Sequence, residues 1–141
     1  MVVSTLVLAT SCSNDDTVDP KHFTIDECPQ WKAGTDYLPY TAQLIDIDCA
    51  TLPAEVSEDD LLAAFISDEC RDVTNPYIDN EKWYADLMVG IHESEESTAG
   101  LMVVLKYYSA KMRHIYTAEA FPYVGDDIMF ITDKNQIKWK E

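Results

Sequence analysis

The chain predicts an all-β fold, a single antiparallel sandwich. Three observations point there: apolar residues recur with period two, turn-forming residues punctuate the chain at intervals, and no segment carries a convincing amphipathic helix. With 141 residues, 47% apolar and 11% aromatic, it is one domain's worth of material and can build a packed core. In chain order, Ile45, Ile47 and Cys49 alternate with Asp46 and Asp48, a strand with one wet face. Leu61 to Ile66 is a continuous apolar run of strand length, which fits a central strand covered on both sides. A helix over Glu58 to Ile66, with Ser57 as its N-cap, is the competing reading of that stretch. Trp83, Ala85, Leu87, Val89 and Ile91 fall on one face of a further run, and Leu101, Val103, Leu105 and Tyr107 on one face of another. Turns are expected at Asp68 and Glu69, at Asn75 and Pro76, from Glu93 to Gly100, from Ser109 to Met112, and from Gly125 to Asp127. About seven short strands spaced by about ten residues make the expected sandwich, over residues 37–141, immunoglobulin-like in kind.

The beginning of the chain reads as an address. Met1 to Ser11 is a short apolar run ending in small residues, too short for the roughly twenty residues a membrane-spanning helix needs. It fits the hydrophobic region and cleavage site of a secretory signal over residues 1–11. Leu8, Ala9, Thr10, Ser11 and Cys12 resemble a bacterial lipobox, in which a peptidase cuts before the cysteine and the sulfur is diacylated. The resemblance implies lipidation at Cys12, and several acyl chains give stable anchoring where one is marginal. No Lys or Arg precedes Lys21, a departure from the usual positively charged start. Asp15, Asp16 and Asp19 look like the export signal that places lipoproteins of the Bacteroidetes on the outer face of the outer membrane. The expected location is therefore the outer membrane, lipid-anchored and facing the exterior. Residues 12–36, polar, aperiodic and broken by Pro20 and Pro29, read as a lipidated N-terminus and tether.

With Cys12 acylated, Cys28, Cys49 and Cys70 remain in an extracytoplasmic setting, which allows one bridge and leaves one thiol over. All three pairings are open. Cys28 with Cys49 is preferred because it would pin the lead-in to the first strand, and three free small core thiols are the competing reading.

A formal charge of -16, from 26 acidic and 10 basic residues, excludes nucleic acid as a partner. The charge is uneven: residues 13–36 carry -4, residues 37–96 carry -13 and residues 97–141 carry +1. No G-x-S-x-G elbow, Gly-rich phosphate loop or H-E-x-x-H pair occurs, and an enzyme is not expected. No resident cofactor is expected either, with calcium the one candidate. In a simple meander the loop with Asp59 and Asp60 would share an end with the one holding Asp79 and Glu81, where oxygens could converge. Solvated acidic loops are the plainer account of the same residues. Glycan is the candidate ligand: sugar rings stack on exposed aromatics, and Trp31, Tyr37, Tyr77 and Tyr84 lie in or beside expected loops.

VSEDDLLAAFISDECR, from Val56 to Arg71, resembles a segment of secreted and surface proteins of the Bacteroidetes in which an acidic turn leads into an apolar strand and a DECR hairpin. KYYSAKMRHIYTAEAF resembles the later strand pair of the same small immunoglobulin-like domains. Ser67 and Asp72 stand where that pattern often has Gly. The resemblance implies a noncatalytic, modular surface domain of undetermined ligand. The expected function is a surface lipoprotein that acts as a binding module for glycan, with an accessory subunit of a surface assembly, such as a polysaccharide uptake complex or a fimbria-like structure, as the alternative. It supplies no functional residues.

Overall fold

The computed structural model describes residues 25–39 and 41–140; the lipidation site at Cys12 lies outside them. The described chain is all-β, with ten strands: β1 (Gln43–Asp48), β2 (Leu61–Ile66), β3 (Glu69–Thr74), β4 (Tyr77–Asp79), β5 (Lys82–Val89), β6 (Met102–Ser109), β7 (His114–Ala118), β8 (Phe121–Pro122), β9 (Ile128–Ile131) and β10 (Trp139–Lys140). Single 3-10 turns form at Cys49–Thr51 and Glu93–Glu95. The expected strands are present, and Leu61–Ile66 is strand rather than helix. The excess over seven consists mainly of two- and three-residue pieces, β4, β8 and β10, too short for a period-two pattern to register.

The strands form two sheets, the first ordered β4-β5-β1-β9 and the second β10-β7-β6-β2-β3, with β8 pairing β6. The strands do not follow a simple meander. β1 lies between β5 and β9, so consecutive β1 and β2 belong to different sheets, and the β1–β9 ladder is parallel in an otherwise antiparallel pair of sheets. Ile45 and Ile47 of β1, Ala85, Leu87 and Val89 of β5, Leu62, Ala64 and Ile66 of β2, and Val103, Leu105 and Tyr107 of β6 fill one buried core between them. These are the faces that the alternation marked, because a half-buried strand must put its apolar residues two apart.

β2 is buried on both faces, but only one of them meets the other sheet. Its second face, Leu61, Ala63 and Phe65, is covered by the lead-in segment. Trp31 packs its edge on Phe65 with ring centroids 5.8 Å apart, and Asp26 N–H donates to the Arg113 carbonyl at 2.8 Å. Asp26 Oδ2 accepts the Ile115 N–H at 2.7 Å, and Gly34 N–H reaches the Cys70 carbonyl. Residues 25–36, expected to be tether, are a strap over the second sheet. Composition misses this because a strap is extended chain whose partners are distant in sequence.

The Cys28–Cys49 bridge is not present. Cys49 is a free thiol in the core between the sheets, and Cys70 is also free and buried. Cys28 packs with Leu61, Tyr108 and Ala110 on the opposite side of the second sheet. A whole β-layer separates it from Cys49, whereas a disulfide needs the two Cα atoms within about 7 Å of each other.

Candidate functional site

Each expected site residue among the described residues has a definite place, and few of them meet. Asp60 is completely buried and accepts four hydrogen bonds: from Ser57 N–H and Oγ, each at 3.0 Å, from the Tyr107 hydroxyl at 2.7 Å and from Ala110 N–H at 2.8 Å. Every acceptor direction of the carboxylate is occupied, so Asp60 ties the loop before β2 to β6 rather than facing a solvent ion. Burial and the Asp60 charge push the Tyr107 phenol well above its ordinary range. Asp59 is half-buried and Asp79 exposed, and no group of three metal-ligating side chains forms among the described residues.

Of the aromatics expected to be exposed, Trp31 is half-buried in the strap against Phe65 and Tyr37 is locked into a polar knot. The Tyr37 hydroxyl accepts from Gly34 N–H and donates to the Cys70 carbonyl, both at 3.1 Å, while its ring lies 5.5 Å from the Arg71 guanidinium and 4.8 Å from His92. Arg71 is the centre of this knot. The β2–β3 ladder shifts register so that Arg71 is the extra residue between Cys70 and Asp72, and such a bulge re-aims its side chain. The guanidinium donates to both oxygens of Glu95 at 2.8 and 2.6 Å, to the Gly90 carbonyl at 2.9 Å and to the Ile66 carbonyl at 3.3 Å. Its Nε lies 3.1 Å from Glu69 without hydrogen-bond alignment. The Arg71 bond holds the Glu95 carboxyl down to about 2. Gly90 is required there, because a Cβ at that position would stand 2.7 Å from the Tyr37 Cβ. All its donors point inward, so the knot is a structural latch joining strap, β3 and the Glu93–Glu95 turn.

Among the described residues, two surfaces stand out as open to a ligand. The first is the end of the sandwich. A cavity of about 500 Å³ is lined by Cys49, Leu52, Pro53 and Trp83, with Asp48, Glu55, Glu81 and Lys82 also in its wall. Its neighbour, about 510 Å³, shares Leu52 and Pro53 and is lined by Lys134, Lys138 and Trp139. The loop carrying Glu55 and the one carrying Glu81 thus do reach one end, by the β1–β5 pairing rather than by a meander. Trp83 shares the face of Ala85 and Leu87 and packs against the core as that parity predicts, but at the second residue of β5 it is only half-buried and so also lines this cavity. Cys49, also in this wall, has its thiol pushed up to about 12 by burial and the surrounding aspartates, which makes it a poor nucleophile.

The second surface is the outer face of the first sheet. Register puts Leu44 between Met88 and Ile128, and Asp46 between Asp86 and Phe130. Tyr77 and Tyr84 pair at 6.1 Å farther along the same face, and the Tyr77 hydroxyl donates to Asp86 at 2.8 Å. Burial, then the facing Asp86, raise the Asp46 carboxyl above its ordinary value. The chain matches no protein-family model, no curated protein and no solved structure.

Proposed function

We propose that the chain is a noncatalytic, cell-surface lipoprotein whose immunoglobulin-like sandwich is a binding module for glycan, held at the outer membrane through acylated Cys12. One observation carries the binding part: the twin cavities at the sandwich end, each lined by an indole, Trp83 in one and Trp139 in the other. An indole offers a sugar ring an apolar face, and the carboxylates of Asp48, Glu55 and Glu81 accept from its hydroxyls. Calcium has no assembled ligand set to support it among the described residues, and is outside this reading. A glycan array probed with the wild-type chain and with Trp83→Ala tests it. Binding that Trp83→Ala removes is the expected result, and silence of the wild type across the array overturns it.

The anchor is tested by lipid labelling of the wild type and Cys12→Ala. Retention of the variant in membranes overturns the anchor. Alkylation without reduction gives an independent check: an acylated Cys12 cannot also be a disulfide partner, so a Cys12–Cys28 bridge found by mass spectrometry would overturn it too.

A second reading, an accessory subunit of a surface protein assembly, is favoured by a different observation. The outer face of the first sheet leaves Leu44, Met88, Ile128 and Phe130 exposed in one patch. Clustered apolar exposure of this kind marks protein contact more often than scattered apolar residues do. Co-purification of a membrane protein partner, combined with a silent glycan array, supports this reading over the first.

A further inference from the structure

We propose that the outer face of the first sheet docks a partner protein that presents a lysine or arginine side chain flanked by apolar residues; this rests on the assembly reading and names the partner's chemistry. The face has an apolar row and an acidic row side by side. Leu44, Met88 and Ile128 are 37%, 56% and 49% exposed and lie directly across from one another on β1, β5 and β9. One step along the strands, Asp46 faces Asp86 on one side and Phe130, 58% exposed, on the other. A groove of about 290 Å³ runs between the two rows, lined by Leu44, Asp46, Asp86, Ile128 and Phe130. A long basic side chain suits it: an aliphatic stem can lie against Leu44 and Ile128, while the charged head reaches the carboxylates beside the Phe130 ring.

The charge on this face selects the occupant. Two carboxylates sit opposite each other in register, and the lining of the groove includes no cation; Lys82, on the same face of β5, stands four residues from Asp86, across from Asp79. A seated cation relieves the repulsion between Asp46 and Asp86. A second copy of the chain suits the face less well, since it brings a net charge of -16 to a groove whose charged residues are both acidic. Strand addition at the β9 edge is blunted as well. Asp127 Oδ1 accepts the Ile128 N–H at 2.8 Å, and Gln136 Nε2 donates to the Phe130 carbonyl at 2.8 Å, so two groups that an added strand would need are capped. The partner arrives over the face, not along its edge.

The test is an NMR titration of the isotope-labelled chain at physiological ionic strength. The probe is a capped peptide in which every second residue is threonine and the others alternate valine and lysine, so that one extended face shows lysine between valines. A counterpart carries glutamate for lysine, and spermidine serves as a bare cation. The expected result is shifts confined to the amides of residues 44–48, 86–88 and 128–130. Affinity should fall at least tenfold in the Asp46→Asn/Asp86→Asn double variant and in Phe130→Ser, with circular dichroism confirming that both fold. Equal binding of the glutamate peptide overturns the basic-partner proposal while leaving the assembly reading, which cross-linking at this face in cells tests separately. Shifts elsewhere, no shifts, or spermidine binding as tightly as the lysine peptide also overturn the proposal.

Discussion

At the scale of single residues, the side chain that matters most to stability is one that reads as a surface acid. Asp60 closes an acidic run, Glu58 to Asp60, yet it alone of the three turns inward, where Tyr107 and Ala110 supply donors. The spacing Ser57-x-x-Asp60 was the available signal: a small hydroxyl three residues before a carboxylate is the pattern of a side-chain-capped turn. Replacing Asp60 with Ala leaves the Tyr107 hydroxyl and the Ala110 N–H without their acceptor. Each such loss costs about 1–3 kcal/mol, so urea unfolding should show Asp60→Ala less stable by about 3 kcal/mol. Asp46 behaves in the opposite way. Its carboxyl is raised by burial and by Asp86, so it favours the fold at low pH and loses that contribution as pH rises through its folded value. Asp46→Asn removes the repulsion, and at neutral pH its melting temperature should exceed the wild type's, an advantage that shrinks toward pH 3.

At the scale of elements, turns and the bulge do the positioning. β2 and β3 are joined through Ser67 and Asp68, and β4 and β5 through Asn80 and Glu81, all four residues with positive φ. This is the mirror-image turn whose twist matches a hairpin, and it is built here without glycine. The tight turn that a Gly-bearing pattern would make therefore forms with Ser and Asp, held by the register on either side. The left-handed region costs a non-glycine residue roughly 1–2 kcal/mol, offset in part by glycine's greater freedom when unfolded. Ser67→Asn/Asp68→Gly should stabilise by about 1 kcal/mol, read as a melting temperature higher by about 4 °C.

The Arg71 bulge has a pH signature. Glu95 is held at about 2 against an ordinary 4.5, so its pair with Arg71 contributes fully above about 4.5 and is lost as pH falls toward 2. The denaturant midpoint of the wild type should drop through that window, while that of Glu95→Gln, already lower at neutral pH, should drop less. A wild type and variant that fall in parallel would remove Glu95 from the account. DECR in the sequence marked a hairpin but not this role, because the extra residue in the ladder shows only when both strands are paired.

At the scale of the whole molecule, the described chain has three layers where two were expected. The strap of residues 25–36 covers the outer face of β2, and this is why Leu61–Ile66 has no polar residue at all. Trp31→Ala opens the strap at its largest contact. For a half-buried tryptophan the cost should be about 2 kcal/mol, and amide exchange should rise along the strap and the outer-facing residues of β2 while the core between the sheets stays protected. A uniform rise over the whole domain would mean the strap is part of the cooperative core.

The sequence alone determined the all-β class, the faces of β1, β5 and β6 that turn inward, the double burial of β2 and the places of most turns. These are local properties: a strand half in water must alternate, and a chain that reverses must use residues suited to turning. Tertiary structure alone decided which strands neighbour each other, that β9 runs parallel to β1, that Cys49 and Cys28 lie on opposite sides of a sheet, and which of many carboxylates is buried. It also decided the candidate surfaces. The Trp83 cavity and the Asp46–Asp86 face are each assembled from segments far apart in the chain, and period two gives the face of a residue but not its neighbour across the ladder.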